Sequence, residues 1–74
     1  MNNREQFLQK LTALLKLAGA NIRAIEVADE DYVNVVYSDG EVRRVSVVAC
    51  SDIEVISEIL DELIYGYGGE RYGK

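Results

Sequence analysis

The hydrophobic periodicity of this chain of 74 residues changes twice, and the two changes restrict its fold more than any other feature. Apolar residues recur at helical spacing from Phe7 to Ala18, and Gly19 ends that pattern. β-branched residues then dominate segments 21–28 and 32–37 and a third segment after the next turn. Helical spacing returns in the last third of the chain. The order α-β-β-β-α predicts an α+β fold, a three-stranded antiparallel meander with two helices packed on one face.

The turn after the second strand decides which valines face the core. A two-residue turn at residues 39–40 would mix polar and apolar side chains on both faces of the hairpin. A type I turn with Gly40 as the left-handed bulge residue instead pairs Val36 with Val42. We favour the bulged hairpin, because it gives one coherent apolar face. That face comprises Val33, Val35, Val45 and Val47.

A capping box marks the start of the second helix. The Ser51 hydroxyl can accept a hydrogen bond from the Glu54 amide, while the Glu54 carboxylate accepts one from the Ser51 amide. Because Gly residues recur from Gly66 onward, we predict one domain over residues 1–65 and a flexible Gly- and Tyr-rich tail over residues 66–74. The side chains of this helix predicted to face the core are Ile53, Ile56, Leu60, Leu63 and Ile64.

Composition argues against several classes of function. The chain has no His, the commonest acid–base residue and metal ligand, and we expect its only cysteine, Cys50, to be structural. We therefore predict a protein without enzymatic activity, cofactor or metal. A net charge of −5 argues against direct binding to nucleic acid or to an anionic membrane. The single cysteine and the absence of an apolar signal segment or membrane-spanning run favour a cytoplasmic location.

Acidic residues gather on the second helix without basic neighbours. Between Arg44 and Arg71 the sequence holds no Lys or Arg, so this helix lacks the ion pairs that usually offset such charge. Carboxylates spaced along a helix can imitate a row of phosphates and attract a protein that grips DNA. We therefore predict a small protein-binding module that inhibits a basic, nucleic-acid-binding protein. The predicted partner-binding residues are Glu54, Glu58, Asp61, Glu62, Tyr65 and Tyr67.

Two alternatives to this prediction stay open. An acidic helix face is commonly only solvated, and it then has no partner. The second alternative is a structural or regulatory domain that associates with itself, because the sheet face turned away from the helices combines apolar and polar side chains. An uncovered apolar patch of this kind favours a homodimer. The possible dimer face comprises Tyr32, Val36, Val42 and Arg44.

The α-β-β-β-α order is similar to that of double-stranded RNA-binding domains. Those domains place a Lys-rich cluster at the start of their final helix, where it grips phosphates. Here residues 51–54 are Ser-Asp-Ile-Glu, and two of them are acidic. The resemblance is therefore one of topology, and we do not expect RNA binding.

A second resemblance covers segment 34–64. Its features are a hairpin turning at residues 39–40, a Val-rich strand, and a Ser-started acidic helix with Ile53, Ile56 and Ile59. In these features the segment resembles small acidic anti-CRISPR proteins of bacteriophages. Some members of that class imitate DNA. The resemblance implies a phage protein whose carboxylates face Arg and Lys in the cleft where a Cas nuclease reads its target.

Overall fold

The structure is a computed structural model, and it describes residues 3–48 and 50–67. Its elements follow the predicted order α-β-β-β-α, and the three strands form an antiparallel sheet in the order β1-β2-β3. The predicted α+β meander is therefore confirmed. The elements are α1 (Asn3–Leu17), β1 (Ile22–Val27), β2 (Tyr32–Tyr37), β3 (Val42–Ser46) and α2 (Asp52–Tyr65).

One buried cluster joins the sheet to both helices. Every second residue of β2 is buried, and since side chains alternate between the two faces of a strand, the core lies on one side of the sheet. Helix α1 packs mainly over β1, and α2 contacts β3, so both helices cover that side as predicted. The buried residues are Leu8, Leu11, Ile22, Ile25, Val33, Val35, Tyr37, Val45, Val47, Val55 and Ile59.

The β2–β3 hairpin has the predicted bulged register. Val36 pairs with Val42, and the pairing continues without a shift to the end of β3. Gly40 has a φ of +95°, and its amide donates to the Tyr37 carbonyl at 3.0 Å. The four valines predicted to share one face are all buried. The turn therefore directs the apolar side of the hairpin toward the helices.

A Gly40→Ala variant tests this turn. An alanine methyl group would meet no atom within 4 Å, so any loss of stability would come from the left-handed backbone conformation. We expect the free energy of unfolding, measured by urea denaturation, to fall by about 1 kcal/mol. Gly40→Asn should lose less, because asparagine tolerates this conformation better. An alanine variant as stable as the parent protein would contradict the role given to Gly40.

Strand β1 contains one extra residue relative to β2. The pairing register shifts between Ile22 and Ala24, which makes Arg23 the additional residue. The shift brings Ile22 and Ile25 to the same face although three positions separate them, and both are buried. This bulge is the physical reason why apolar and polar residues alternate only partly along β1.

Helix α1 closes part of the outer edge of β1. The Thr12 hydroxyl accepts a hydrogen bond from the Ile25 amide at 3.1 Å and donates one to the Leu8 carbonyl at 2.8 Å. An amide on an edge strand would otherwise need water or another strand as its acceptor. Thr12 therefore attaches α1 to the sheet by a polar contact in addition to apolar packing.

Helix α2 is rotated about its axis relative to the prediction. Val55 and Ile59 are 0% exposed, whereas Ile53 and Ile64, which were expected in the core, are 76% and 56% exposed. The prediction maximised the number of apolar side chains turned inward. In the structure Val55 and Ile59 form the centre of the contact, and Glu62 lies on their side of the helix, where it meets polar groups of the sheet. The expectation for Ile53 and Ile64 was wrong.

The two helices lie side by side with their N-terminal ends together. The Arg4 guanidinium of α1 lies 3.4 Å from the Asp52 carboxylate of α2, and it also donates to the Cys50 carbonyl at 3.3 Å. At the other end of the molecule, Tyr67 after α2 reaches Asp39 in the β2–β3 turn. Leu15 near the end of α1 and Leu63 near the end of α2 line one cleft, so the helices run in the same direction, and the C-terminal end of α2 lies beside the β2–β3 turn.

Candidate protein-binding surface

Four residues of α2 form a continuous exposed stripe, which we call the acidic face. They are spaced by four, three and four positions, so on a helix they lie above one another on one side. All four are exposed, and Tyr65 is 80% exposed. Three carboxylates and one phenol are thereby presented together. The acidic face comprises Glu54, Glu58, Asp61 and Tyr65.

Glu54 has a structural task at the start of the helix. Its carboxylate accepts from the Ser51 amide at 2.7 Å, and its own amide donates to the Ser51 hydroxyl at 3.3 Å. The predicted capping box is therefore confirmed. The Ser51 hydrogen bonds lower the pKa of Glu54. A lowered folded-state pKa means that this interaction stabilises the fold at neutral pH and is lost as the pH falls through that pKa.

Glu58 and Asp61 are the carboxylates of the acidic face that remain available. Both are exposed. Within residues 3–48 and 50–67 neither side chain takes part in a hydrogen bond or an ion pair. The last turn of α2 contains no basic residue. Within those ranges no ion pair or hydrogen bond therefore offsets their charge.

Glu62 departs from the predicted stripe and lies inward. Its side chain is 15% exposed and lies 3.8 Å from the Arg43 guanidinium. The Tyr37 hydroxyl donates to its carboxylate at 3.0 Å, and the Tyr67 amide donates to the same oxygen at 3.1 Å. The expectation that Glu62 shares the solvent face is corrected, because its position three residues after Ile59 puts it on the buried side of the helix.

Tyr67 is packed against the sheet, although the sequence assigned it to a flexible tail. Its ring meets Tyr37 edge to face, with ring centroids 4.9 Å apart, and its hydroxyl donates to the Asp39 carboxylate at 2.6 Å. The Arg43 guanidinium lies 5.8 Å from the Tyr67 ring centroid. These contacts give Tyr67 an internal role. Residues 68–74 of the predicted tail lie outside the described residues.

An apolar border accompanies the acidic face along α2. Ile53 and Ile64 are the exposed residues of this border, and Leu60 and Leu63 continue it toward α1. Leu60 and Leu63 also line a cleft of about 260 Å³ that opens between the helices. The helical periodicity assigns all of these side chains to the core, and although Leu63 packs partly against it, the border as a whole was not predicted. The signal that could have found it is the spacing of Val55, Ile59 and Glu62, which already gives a complete buried stripe.

The possible dimer face lies on the side of the sheet opposite the helices, as predicted. Tyr32 and Val36 are half-buried there, and Val42 is 52% exposed. The Arg44 guanidinium lies 5.4 Å from the Tyr32 ring centroid, a cation–π contact. The structure thus brings the four residues Tyr32, Val36, Val42 and Arg44 together on one surface.

Cys50 lies half-buried just before α2. Its partial burial and the carboxylates of Glu54 and Glu58 raise the pKa of its thiol, and Arg4 opposes this effect. The thiol is therefore protonated at neutral pH, and a protonated thiol is a poor nucleophile. No group of three His, Cys, Asp or Glu side chains in the described part of the chain could hold a metal ion.

Within the described ranges, neither helix has the length and apolar character needed to cross a membrane. Comparisons of this chain with protein-family models, curated proteins and solved structures found no match. The acidic face and the open sheet face are therefore interpreted from their own geometry and charge.

Proposed function

We propose that the protein is a small, non-enzymatic binding module that inhibits a basic, nucleic-acid-binding protein. The observation that carries this proposal is the pair Glu58 and Asp61. These carboxylates are exposed, lie one helical turn apart and have no hydrogen bond or ion pair within residues 3–48 and 50–67. A basic partner would supply the missing positive charge, and it would do so at the surface where it normally holds phosphates.

The surroundings of the pair favour a protein partner over free cations. Tyr65 and Ile64 are 80% and 56% exposed beside the carboxylates. Aromatic and apolar side chains contribute most to affinity when a partner removes them from water, and carboxylates add orientation and speed of association. The net charge of −5 attracts a basic surface from a distance as well.

CRISPR effector nucleases provide a partner of suitable chemistry. Such effectors hold nucleic acid in a positively charged channel. The acidic face extends over about 16 Å, since its first and last residues are eleven positions apart on a helix. A rigid row of this length could occupy part of such a channel and exclude DNA. An effector from the bacterial host of a phage is the partner class we put forward.

Displacement of DNA tests the proposal. Fluorescence anisotropy would follow a labelled DNA duplex bound to purified CRISPR effector–guide complexes and to other basic DNA-binding proteins while this protein is titrated in. We expect release of DNA from at least one of them, because the acidic face would compete with phosphates for the same basic surface. The double variant Glu58→Lys/Asp61→Lys should need at least about tenfold more protein for the same release.

The double variant Glu30→Lys/Asp31→Lys is the matched control. Both residues are exposed in the β1–β2 turn, and their reversal changes the net charge by the same amount. Circular dichroism would verify that both double variants keep the fold. Equal loss of inhibition in the two variants would show a non-specific charge effect and contradict the assignment of the acidic face. Absence of displacement across the whole panel would contradict the proposed function.

A further inference from the structure

The open face of the sheet is organised in rows that run across the strands. In the first row Val36 pairs with Ala24 of β1 and with Val42 of β3, so the row is apolar. Side chains of paired residues leave the same face of an antiparallel sheet. The register therefore places small and medium apolar groups from all three strands side by side across this surface.

The second row carries one charge of each sign at its two ends. Asn34 of β2 pairs with Glu26 on one side and with Arg44 on the other. Since neighbouring strands are about 4.8 Å apart, the Cα atoms of Glu26 and Arg44 are separated by roughly 10 Å, and no ion pair joins the two side chains in the described part of the chain. Glu26 has no hydrogen bond or ion pair in the described part of the chain. Arg44 is held over Tyr32 at 5.4 Å.

We propose that a second copy of this chain covers the open face, related by a two-fold axis that runs parallel to β2 between the two sheets. This operation exchanges the edge strands, so Glu26 of each copy faces Arg44 of the other. Val36 then faces its own equivalent, and Ala24 of each copy faces Val42 of the other. An interface of this kind is isologous, and the same patch serves both subunits.

The charge pattern favours this arrangement over a dimer whose axis crosses the strands at the second row. Such an axis would place Glu26 opposite Glu26 and Arg44 opposite Arg44, and like charges in contact are destabilising. It would also stack the apolar row on the row formed by Tyr32 and Ser46. The axis parallel to β2 avoids both conflicts and forms two ion pairs by symmetry. This interface lies on the opposite side of the sheet from α2, so it does not depend on the proposed function.

A charge-swap series measured by sedimentation equilibrium tests the dimer and its register. Because the face is only three strands wide, the association should be weak and is to be measured up to about 1 mM protein. We expect the parent chain to dimerise. Glu26→Arg and Arg44→Glu should each raise the dimer dissociation constant at least about tenfold, because each brings like charges together twice in the symmetric interface. The double variant Glu26→Arg/Arg44→Glu should restore dimerisation.

An exposed charge on α1 provides the control. Lys10→Glu makes the same charge change as Arg44→Glu on the helix side of the molecule and should leave the dissociation constant unchanged. A strict monomer at the highest concentration would overturn the proposal. So would a dimer that the single variants do not weaken, or a double variant that stays monomeric while its melting curve shows the fold intact.

Discussion

Replacing Ile59 by alanine should lower the free energy of unfolding by about 3 kcal/mol, whereas the same change at Ile53 should alter it by less than about 0.5 kcal/mol. Both residues are isoleucines of α2. Ile59 is 0% exposed at the centre of the core, and Ile53 is 76% exposed. Truncation of Ile59 removes buried methyl groups and leaves a cavity, while truncation of Ile53 removes groups that already contact water. A domain of this length has a stability of only about 4–11 kcal/mol, so the first change is severe.

Urea denaturation followed by circular dichroism would measure both variants. The comparison tests the rotation of α2 directly, because the amphipathic pattern alone places Ile53 in the core. Ile53→Ala as destabilising as Ile59→Ala would show that α2 is turned the other way. In that case the acidic face and its apolar border would need to be assigned again.

Replacing Glu62 by alanine should cost about 2 kcal/mol, a larger effect than at any other carboxylate of α2. The Tyr37 hydroxyl and the Tyr67 amide would both lose an acceptor, and Arg43 would lose its carboxylate neighbour. The cost comes from losing charge-assisted hydrogen bonds in a partly buried site, since the Tyr37 hydroxyl still has the Glu62 carbonyl at 3.4 Å as an acceptor. Glu62→Gln should lose less than alanine, because its carbonyl oxygen can still accept a hydrogen bond.

Glu58→Ala is the matched control for the Glu62 variant, because Glu58 lies on the same helix but is exposed. Its free energy of unfolding should stay within about 0.5 kcal/mol of the parent value. Thermal unfolding of the variants at one pH would rank them. A Glu62→Ala protein as stable as Glu58→Ala would mean that the contacts with Tyr37 and Tyr67 contribute nothing to the free energy of unfolding. Glu62 would then be assigned to the acidic face with Glu58 and Asp61.

Local signals along the sequence were enough to predict the element order, the capping box and the hairpin register. Ser51 and Glu54 lie three residues apart, and each satisfies a backbone amide of the other, so their contact needs no information from the rest of the fold. The bulged turn at Gly40 could be chosen because the competing register mixes polar and apolar groups on both faces. In both places one short segment contains all the groups that decide the outcome.

The rotation of α2 and the roles of Glu62 and Tyr67 depended on groups far apart in sequence. Tyr37 lies 25 residues before Glu62, and its hydroxyl donates a hydrogen bond that stabilises the Glu62 carboxylate on the side of α2 that faces the sheet. Helical periodicity depends only on the spacing of apolar side chains. It therefore does not predict that a buried tyrosine elsewhere in the chain requires a hydrogen-bond acceptor from this helix. Tyr67 likewise follows a Gly in a segment typical of a flexible tail, and its contact with Asp39 spans 28 residues. Two of the six predicted partner-binding residues, Glu62 and Tyr67, therefore could be placed only with the tertiary structure.

The hydroxyl of Thr12 also affects how one molecule could join another. A small sheet can grow by accepting a strand from a neighbouring chain, which is the first step toward fibrous aggregates. On the β1 side the Ile25 amide, one of the groups such a strand would need, is already occupied by Thr12. On the opposite edge the exposed Arg44 places a positive charge on β3, and an added copy of the same strand would bring like charges together. Growth strand by strand is thus discouraged at both margins, and the proposed dimer uses the sheet face that lies between them.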